Sequence, residues 1–295
     1  MVAKIFGKPK PIIGKVALMP LPGSAFWSSD WELLTARAEQ DATTLASAGV
    51  DGLMLENTTS PGVNNTRLDH AAAIAIAQLT TSIIQLTRLP VGVSVLHNDP
   101  ETALAIAVNT GACFIRLSVL AGAKLTPSGI ANSRFSELLA YQQQLQAKMP
   151  YLLVDINCNQ RAAFTNSNDT AFRNPAVIQQ SIQSAVDCLP DPLVNNIGFV
   201  LNDYDLSSTE FAVIKAASEI PLLVENTCKP QSETGLYYAE SDGILLEANI
   251  RKKQRFSPSS VPSIDMLEAE TFVNKLNNVQ PLSEMDADVF LNDLA

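Results

Sequence analysis

Acidic side chains stand directly after apolar runs at four points in this sequence, and in each case an asparagine follows within two residues. The pairs are Glu56 with Asn57, Asp155 with Asn157, Glu225 with Asn226, and Glu247 with Asn249. Buried parallel strands place their carboxyl ends on one face, where α/β proteins hold their sites. If these runs are parallel strands, the sequence predicts that the acids gather there as an acidic pocket.

Three kinds of chemistry suit such a pocket. Neighbouring carboxyl groups shift one another's pKa values, which favours general acid–base catalysis with Glu56 and Asp155 as the acid and the base. Oxygen ligands also suit Mg²⁺ or Ca²⁺, so a divalent cation is an alternative occupant. The structural alternative is that these acids cap the following helices or pair with basic neighbours.

Further candidates lie near the same predicted strand ends. Asn98 follows the third apolar run, beside Asp99, which is placed to cap a helix. Arg116 interrupts an apolar run, and a buried guanidinium needs a carboxylate partner, so it is predicted to clamp an acid or a ligand. His97 is a candidate base without an identifiable partner. The predicted ligand-binding residues are Asn57, Asn98, Arg116, Asn157, Glu225, Asn226 and Glu247.

Eight apolar runs alternate with helical segments along the chain and would position these residues. The runs are continuously apolar, which is typical of parallel strands buried on both faces. Eight such units in about 280 residues predict a single-domain (β/α)₈ TIM-type barrel over residues 1–280, with an open doubly wound sheet as the alternative. Residues 281–295 are predicted to form an acidic C-terminal tail, and residues 121–132 a loop over the strand ends.

Composition and motifs disfavour several kinds of partner, compartment and cofactor. The net charge of −10 disfavours nucleic acid and anionic membranes as partners. The four scattered cysteines indicate reduced thiols, and neither a signal peptide nor a membrane segment is recognisable, so we expect a cytoplasmic protein. No dinucleotide or Walker motif occurs, so no cofactor is evident. Arg251 opens a short basic run that we expect to be a solvated loop.

Several segments together resemble the BtpA family, which includes photosystem I biogenesis proteins and SgcQ-type proteins. They are the segments 10–14, 18–24, 49–57, 89–99 and 111–123. The resemblance implies a TIM-type barrel and a cytoplasmic or membrane-peripheral protein, but no settled reaction. Family members have been likened to phosphoribosylanthranilate isomerase and to nucleosidases, which is an analogy of fold.

The second half of the chain departs from the family pattern. Asn157-Cys158-Asn159 stands where the family tends to have Lys-His, and Asn202-Asp203 where it tends to have Thr-Gly. Phosphate-binding barrels usually carry small, glycine-rich loops after strands seven and eight. Because Glu225 and Glu247 stand at those places, we expect sugar phosphates to bind poorly.

Two functional hypotheses follow. One is a barrel that binds a small polar, nucleoside-like or sugar-like ligand in the acidic pocket, with turnover left open. The alternative is a non-catalytic accessory or assembly factor that keeps the barrel as a scaffold, and a homo-oligomer is open in either case. If the acids repel one another, Glu56→Gln should leave folding intact or raise the melting temperature, unless Arg116 or a cation neutralises the group.

Overall fold

The protein folds as a closed barrel of eight parallel strands, as seen in a computed structural model. The structure describes residues 2–58, 67–96, 98–126, 129–157, 175–202, 208–216, 218–226, 237–247, 250–252 and 261–279. The barrel strands are β1 (Ile12–Ala17), β2 (Gly52–Glu56), β3 (Val91–Ser94), β4 (Phe114–Leu117), β7 (Tyr151–Asn157), β8 (Ile197–Asn202), β9 (Leu222–Asn226) and β10 (Ile244–Leu246). Each pairs with its sequence neighbours in the barrel, and β10 closes the ring on β1. The predicted TIM-type barrel is confirmed.

Helices alternate with these strands. They are α1 (Val2–Phe6), α2 (Trp31–Ser47), α3 (His70–Thr87), α4 (Pro100–Thr110), α5 (Phe135–Leu145), α6 (Pro175–Asp187), α7 (Asp191–Val194), α8 (Ser208–Ala216) and α9 (Met266–Asn277). Residues 237–240 are also helical. Asp99 caps α4 and Pro100 is its first residue, as the sequence predicts. Among the described helices, none is long and apolar enough to cross a membrane.

The predicted loop at 121–132 is instead largely a β-hairpin. Strands β5 (Ala123–Thr126) and β6 (Gly129–Asn132) pair antiparallel, between β4 and α5. The predicted tail, 281–295, lies outside the described residues.

Side chains that point into the barrel form layers. One apolar layer takes a residue from seven of the eight barrel strands: Ile13, Met54, Phe114, Leu153, Val200, Leu223 and Leu245. At β3 the corresponding residue is Gly92, and a Cβ there would stand 2.2 Å from the Phe114 ring. Helix α1 closes the barrel at the amino ends of the strands. The ring of Phe6 lies edge-on to that of Phe114, with 5.6 Å between the ring centroids.

The next inward layer toward the carboxyl ends is polar. Side chains alternate along a strand, so residues two positions further on share the inward face. Two positions after the apolar layer the strands present Lys15, Glu56, Ser94, Arg116, Asp155, Glu225 and, directly after β10, Glu247. The barrel therefore places an apolar plug below a charged layer at the end where TIM barrels hold their sites.

Candidate functional site

Lys15, in β1, lies at the centre of the charged layer. Its Nζ is 3.0 Å from Glu56 Oε2, 2.8 Å from Glu225 Oε1 and 2.7 Å from Glu247 Oε2. Only 3% of Lys15 is exposed. Burial alone would lower its pKa, but the three carboxylates outweigh that effect and raise the pKa above its ordinary value. Lys15 is therefore a fixed cation.

Arg116 supplies the second cation and spans the lumen. Its Nε is 2.7 Å from Asp155 Oδ1, and its two terminal nitrogens lie 2.9 and 2.6 Å from the two carboxylate oxygens of Glu225. Two strands, β7 and β8, separate β4 from β9 in the ring, so this bidentate pair crosses the barrel. A fourth contact reaches Glu56 Oε1 at 3.6 Å. The predicted clamp of an acid by Arg116 is present in the structure.

The two cations hold Glu225 in its charged form. Burial by itself would raise the pKa of Glu225, yet Arg116 and Lys15 together bring it well below the ordinary value. Four carboxylates share two cations, so the layer keeps two formal negative charges among the described residues. The layer is compact and ion-paired, but it is not neutral.

Glu247 is the member of this layer that faces solvent. Its side chain is 19% exposed, whereas those of Glu56 and Glu225 are 5% and 4% exposed. Glu247 contacts Lys15 through Oε2. A molecule arriving at the mouth of the barrel would therefore meet the carboxylate of Glu247 before the others.

Arg251 is buried rather than solvated, which corrects the expectation for this residue, whereas Lys252 is exposed and residues 253–255 lie outside the described part of the chain. It donates to the main-chain oxygens of Pro262 at 2.9 Å and Lys15 at 3.2 Å. Its NH1 lies 3.5 Å from Asp41 Oδ2 in α2. Burial lowers the pKa of Arg251. Since β10 ends at Leu246, Arg251 satisfies a β1 carbonyl that lies beyond the last described β1–β10 pair.

Two of the predicted ligand-binding asparagines have main-chain partners. The amide of Asn57 accepts from Leu96 N at 2.7 Å and donates to Leu96 O at 3.3 Å, which ties the segment directly after β2 to the segment after β3. Asn98 accepts from Val119 N at 3.2 Å and donates to Asn132 O at 2.9 Å. Both amides thus fix the geometry of the loops around the mouth.

The structure gives the positions of some of the remaining predicted site residues, and others lie outside its described part. Asn226 is buried at the end of β9. The side chain of Asn157, at the end of β7, lies outside the described part of the structure, as does His97. Glu56, Asp155, Glu225 and Glu247 are brought together by the two cations.

Sequence reasoning missed Lys15, although a signal was available. Lys15 interrupts the apolar run of β1 in the same way that Arg116 interrupts β4. Its ammonium also bears on the metal hypothesis, because it occupies carboxylate oxygens that a divalent cation would need. In the described part of the chain, no group of three or more His, Cys, Asp or Glu residues is arranged to hold a metal ion.

Comparison with known proteins places the chain in a family. Residues 8–278 match the model of the BtpA family. A segment of 142 residues, 48% of this chain, is 41% identical to the photosystem I biogenesis protein BtpA of Synechocystis and spans 50% of that protein. A protein of Pyrococcus furiosus is 27% identical over 249 residues, which cover 84% of this chain and 89% of the relative.

Solved structures show the same fold at low sequence identity. The N-(5'-phosphoribosyl)anthranilate isomerase of Pyrococcus furiosus superposes with a TM-score of 0.53 at 11% identity, over 92% of this chain and 100% of the isomerase. A putative phosphonomutase of Burkholderia cenocepacia gives 0.52 at 15% identity, over 80% and 86% of the two chains. At these identities the likeness concerns the fold alone. From the match of its family model over most of the sequence, the chain belongs to the BtpA family.

Proposed function

We propose that this BtpA-family barrel binds a small polar molecule at the mouth, above the ion-pair layer. The ligand is nucleoside-like or sugar-like, and its hydroxyl or cationic groups donate hydrogen bonds to Glu247. The observation that carries this proposal is the charge imbalance of the layer, whose one solvent-facing acid is Glu247. Lys15 and Arg116 fill the lumen beneath, so the ligand lies across the strand ends and does not enter the barrel.

The geometry favours binding over turnover. A general acid must carry a proton near neutral pH, whereas Arg116 holds Asp155 in an ion pair at 2.7 Å. Glu56 likewise lies 3.0 Å from the ammonium of Lys15. Glu56 and Asp155 act as acid and base only if a bound ligand separates them from these cations, so their catalytic function stays a prediction.

A screen of ligands followed by calorimetry tests the binding proposal. Adenosine, uridine, ribose, ribose 5-phosphate, Mg²⁺ and Ca²⁺ are compared by the shift in melting temperature, and each compound that raises it is titrated calorimetrically. We expect a nucleoside or ribose to bind and ribose 5-phosphate to bind less tightly, because the solvent-facing carboxylate of Glu247 repels its phosphate. Tighter binding of ribose 5-phosphate than of ribose would contradict the proposal.

The variant Glu247→Gln locates the site. It removes a charge-assisted hydrogen bond, so affinity should fall about tenfold. The matched control is Glu219→Gln, the same change at an exposed residue before β9, on the opposite face of the barrel. Equal affinities of the two variants would place the ligand elsewhere.

A specific observation also favours the second candidate, a scaffold without catalysis. The 41% identical relative from Synechocystis is named for photosystem I biogenesis, and the match covers half of that protein. On this alternative the ion-pair layer serves stability, and contacts are made by the outer surface. The screen separates the two functions, because a scaffold predicts that no compound raises the melting temperature in a manner sensitive to Glu247→Gln.

A further inference from the structure

Three neighbouring helices on the outside of the barrel are almost free of charged residues. The whole chain is 17% charged, yet α3 has no Asp, Glu, Lys or Arg in its 18 residues. Helices α4 and α5 have one acid each, Glu101 and Glu137. Because α4 packs against both α3 and α5, the three helices form one continuous surface. We call the outward side of residues 70–87, 100–110 and 135–145 the α3–α5 face.

The two acids of this face lie at its edge and are ion-paired. Each stands in the first turn of its helix, at the end nearer the mouth. Arg134 pairs with both of them, and its Nε is 2.7 Å from Glu137 Oε2. Arg67 also contacts Glu101 at 2.9 Å. The rest of these three helices, toward the amino ends of the strands, carries no formal charge.

Helical spacing identifies the residues at the middle of the face. Positions i, i+4, i+7 and i+11 share one side of a helix, and in α3 these are Ile74, Gln78, Thr81 and Gln85. Ile74 is 61% exposed, and both glutamines are exposed. In α4, Val108 is 42% exposed. The face thus combines exposed aliphatic side chains with uncharged amides.

These side chains suit contact with a second copy of the same chain. A two-fold contact brings the same surface of both copies together, so a charge on that surface would meet its like. An amide has donors and an acceptor, so glutamines can pair with their own copies. Gln143 and Gln144 of α5 are exposed as well. Two chains of net charge −10 repel overall, and the repulsion is least where the contacting surface lacks charge.

The size of the face also fits a dimer. Helix α3 is about 27 Å long, α4 and α5 are each about 16 Å long, and packed helices lie about 10 Å apart. The projected area is then about 600 Å², and the accessible area of side chains exceeds the projection. A standard-size interface buries about 800 Å² of accessible surface on each partner.

We propose that the protein forms a two-fold homodimer through the α3–α5 face. The face lies on the side of the barrel, so the contact leaves the mouths of both copies open. The dimer goes beyond the proposed function, because it holds whether or not the mouth binds a ligand.

Sedimentation velocity of the full chain without ligand tests the dimer. At micromolar concentration we expect a mass of about twice 31.7 kDa. The variant Ile74→Lys should raise the dissociation constant about 100-fold, because both copies would bury an ammonium without a partner. It also reduces the negative charge of the chain by one, so weaker association cannot be attributed to greater overall repulsion. Gln78→Lys is a second variant on the same outward row and should act in the same direction.

The matched control is Leu267→Lys, the same kind of change at a residue of α9 that is 72% exposed and lies outside the face. It should leave the dissociation constant unchanged, and circular dichroism shows that each variant is folded. A monomeric parent protein would overturn the proposal. A dimer that Ile74→Lys and Gln78→Lys leave intact would also overturn it, as would a dimer that Leu267→Lys weakens equally. Since no ligand is present, a failed ligand screen and a failed dimer are separate results.

Discussion

Lys15 and Arg116 determine what the acids at the mouth can do. Carboxylates packed together without cations would raise one another's pKa values. Here the opposite holds for Glu225, whose pKa lies below its ordinary value because it contacts both cations. The sequence-based expectation of mutual repulsion carried an exception for neutralisation by Arg116 or another cation, and the structure shows that exception.

The acids of the layer should differ in their effect on stability. Glu225 makes the bidentate contact with Arg116 and also contacts Lys15, so Glu225→Gln should lower the free energy of unfolding by about 3 kcal/mol. Glu56 contacts the same cations at 3.0 and 3.6 Å in a layer with excess negative charge, so Glu56→Gln should cost about 1 kcal/mol or less.

Urea unfolding monitored by circular dichroism measures both changes. The exposed Glu219→Gln serves as the control and should leave the free energy of unfolding unchanged. A loss of several kcal/mol in Glu56→Gln would show that this carboxylate is a buried structural partner, and would remove it from the candidate site.

At the residue scale, the sequence predicted the acids and Arg116 but not the environment of the amides. Arg116 was recognisable because a charge in an apolar run needs a partner. Lys15 carries the same signal in β1. The contacts of Asn57 with Leu96 and of Asn98 with Val119 and Asn132 depend on which loops are neighbours, and no local pattern encodes that.

At the element scale, the barrel strands were predictable because burial on both faces leaves continuous apolar runs bounded by turns. The β5–β6 hairpin was not, because its strands are only four residues long and the glycine, proline and serine residues of segment 121–132 favoured a loop. Its pairing depends on tertiary closure by Asn98 and Ser133, which lie outside both strands.

The packing between β3 and β4 gives a prediction at this scale. Because a Cβ at Gly92 would stand 2.2 Å from the ring of Phe114, Gly92→Ala should lower the free energy of unfolding by about 1–3 kcal/mol through overpacking. The double variant Gly92→Ala/Phe114→Leu should lose less than the sum of the single losses, since the smaller side chain relieves the clash. Additive losses in urea unfolding would contradict this explanation.

Considered whole, the barrel is closed differently at its two ends. Helix α1 and the apolar layer fill the amino end, where Phe6 packs against Phe114. The carboxyl end is filled by the ion pairs of Lys15 and Arg116 and keeps excess negative charge. An apolar plug tolerates changes of pH, whereas an ion-pair layer does not, so the carboxyl end should decide how the stability of the molecule depends on pH.

The acid limb of the stability profile should therefore depend on Glu225. Its pKa is lowered in the folded state, because Arg116 and Lys15 outweigh the burial that would raise it. A carboxyl group with a lowered folded pKa adds stability above its unfolded pKa of about 4.3, and this contribution is lost as the pH falls toward the folded value. The free energy of unfolding, measured in urea from neutral pH to about pH 3, should fall more steeply in the parent protein than in Glu225→Gln, since glutamine does not titrate. Parallel profiles would show that the ion-pair layer does not control acid stability.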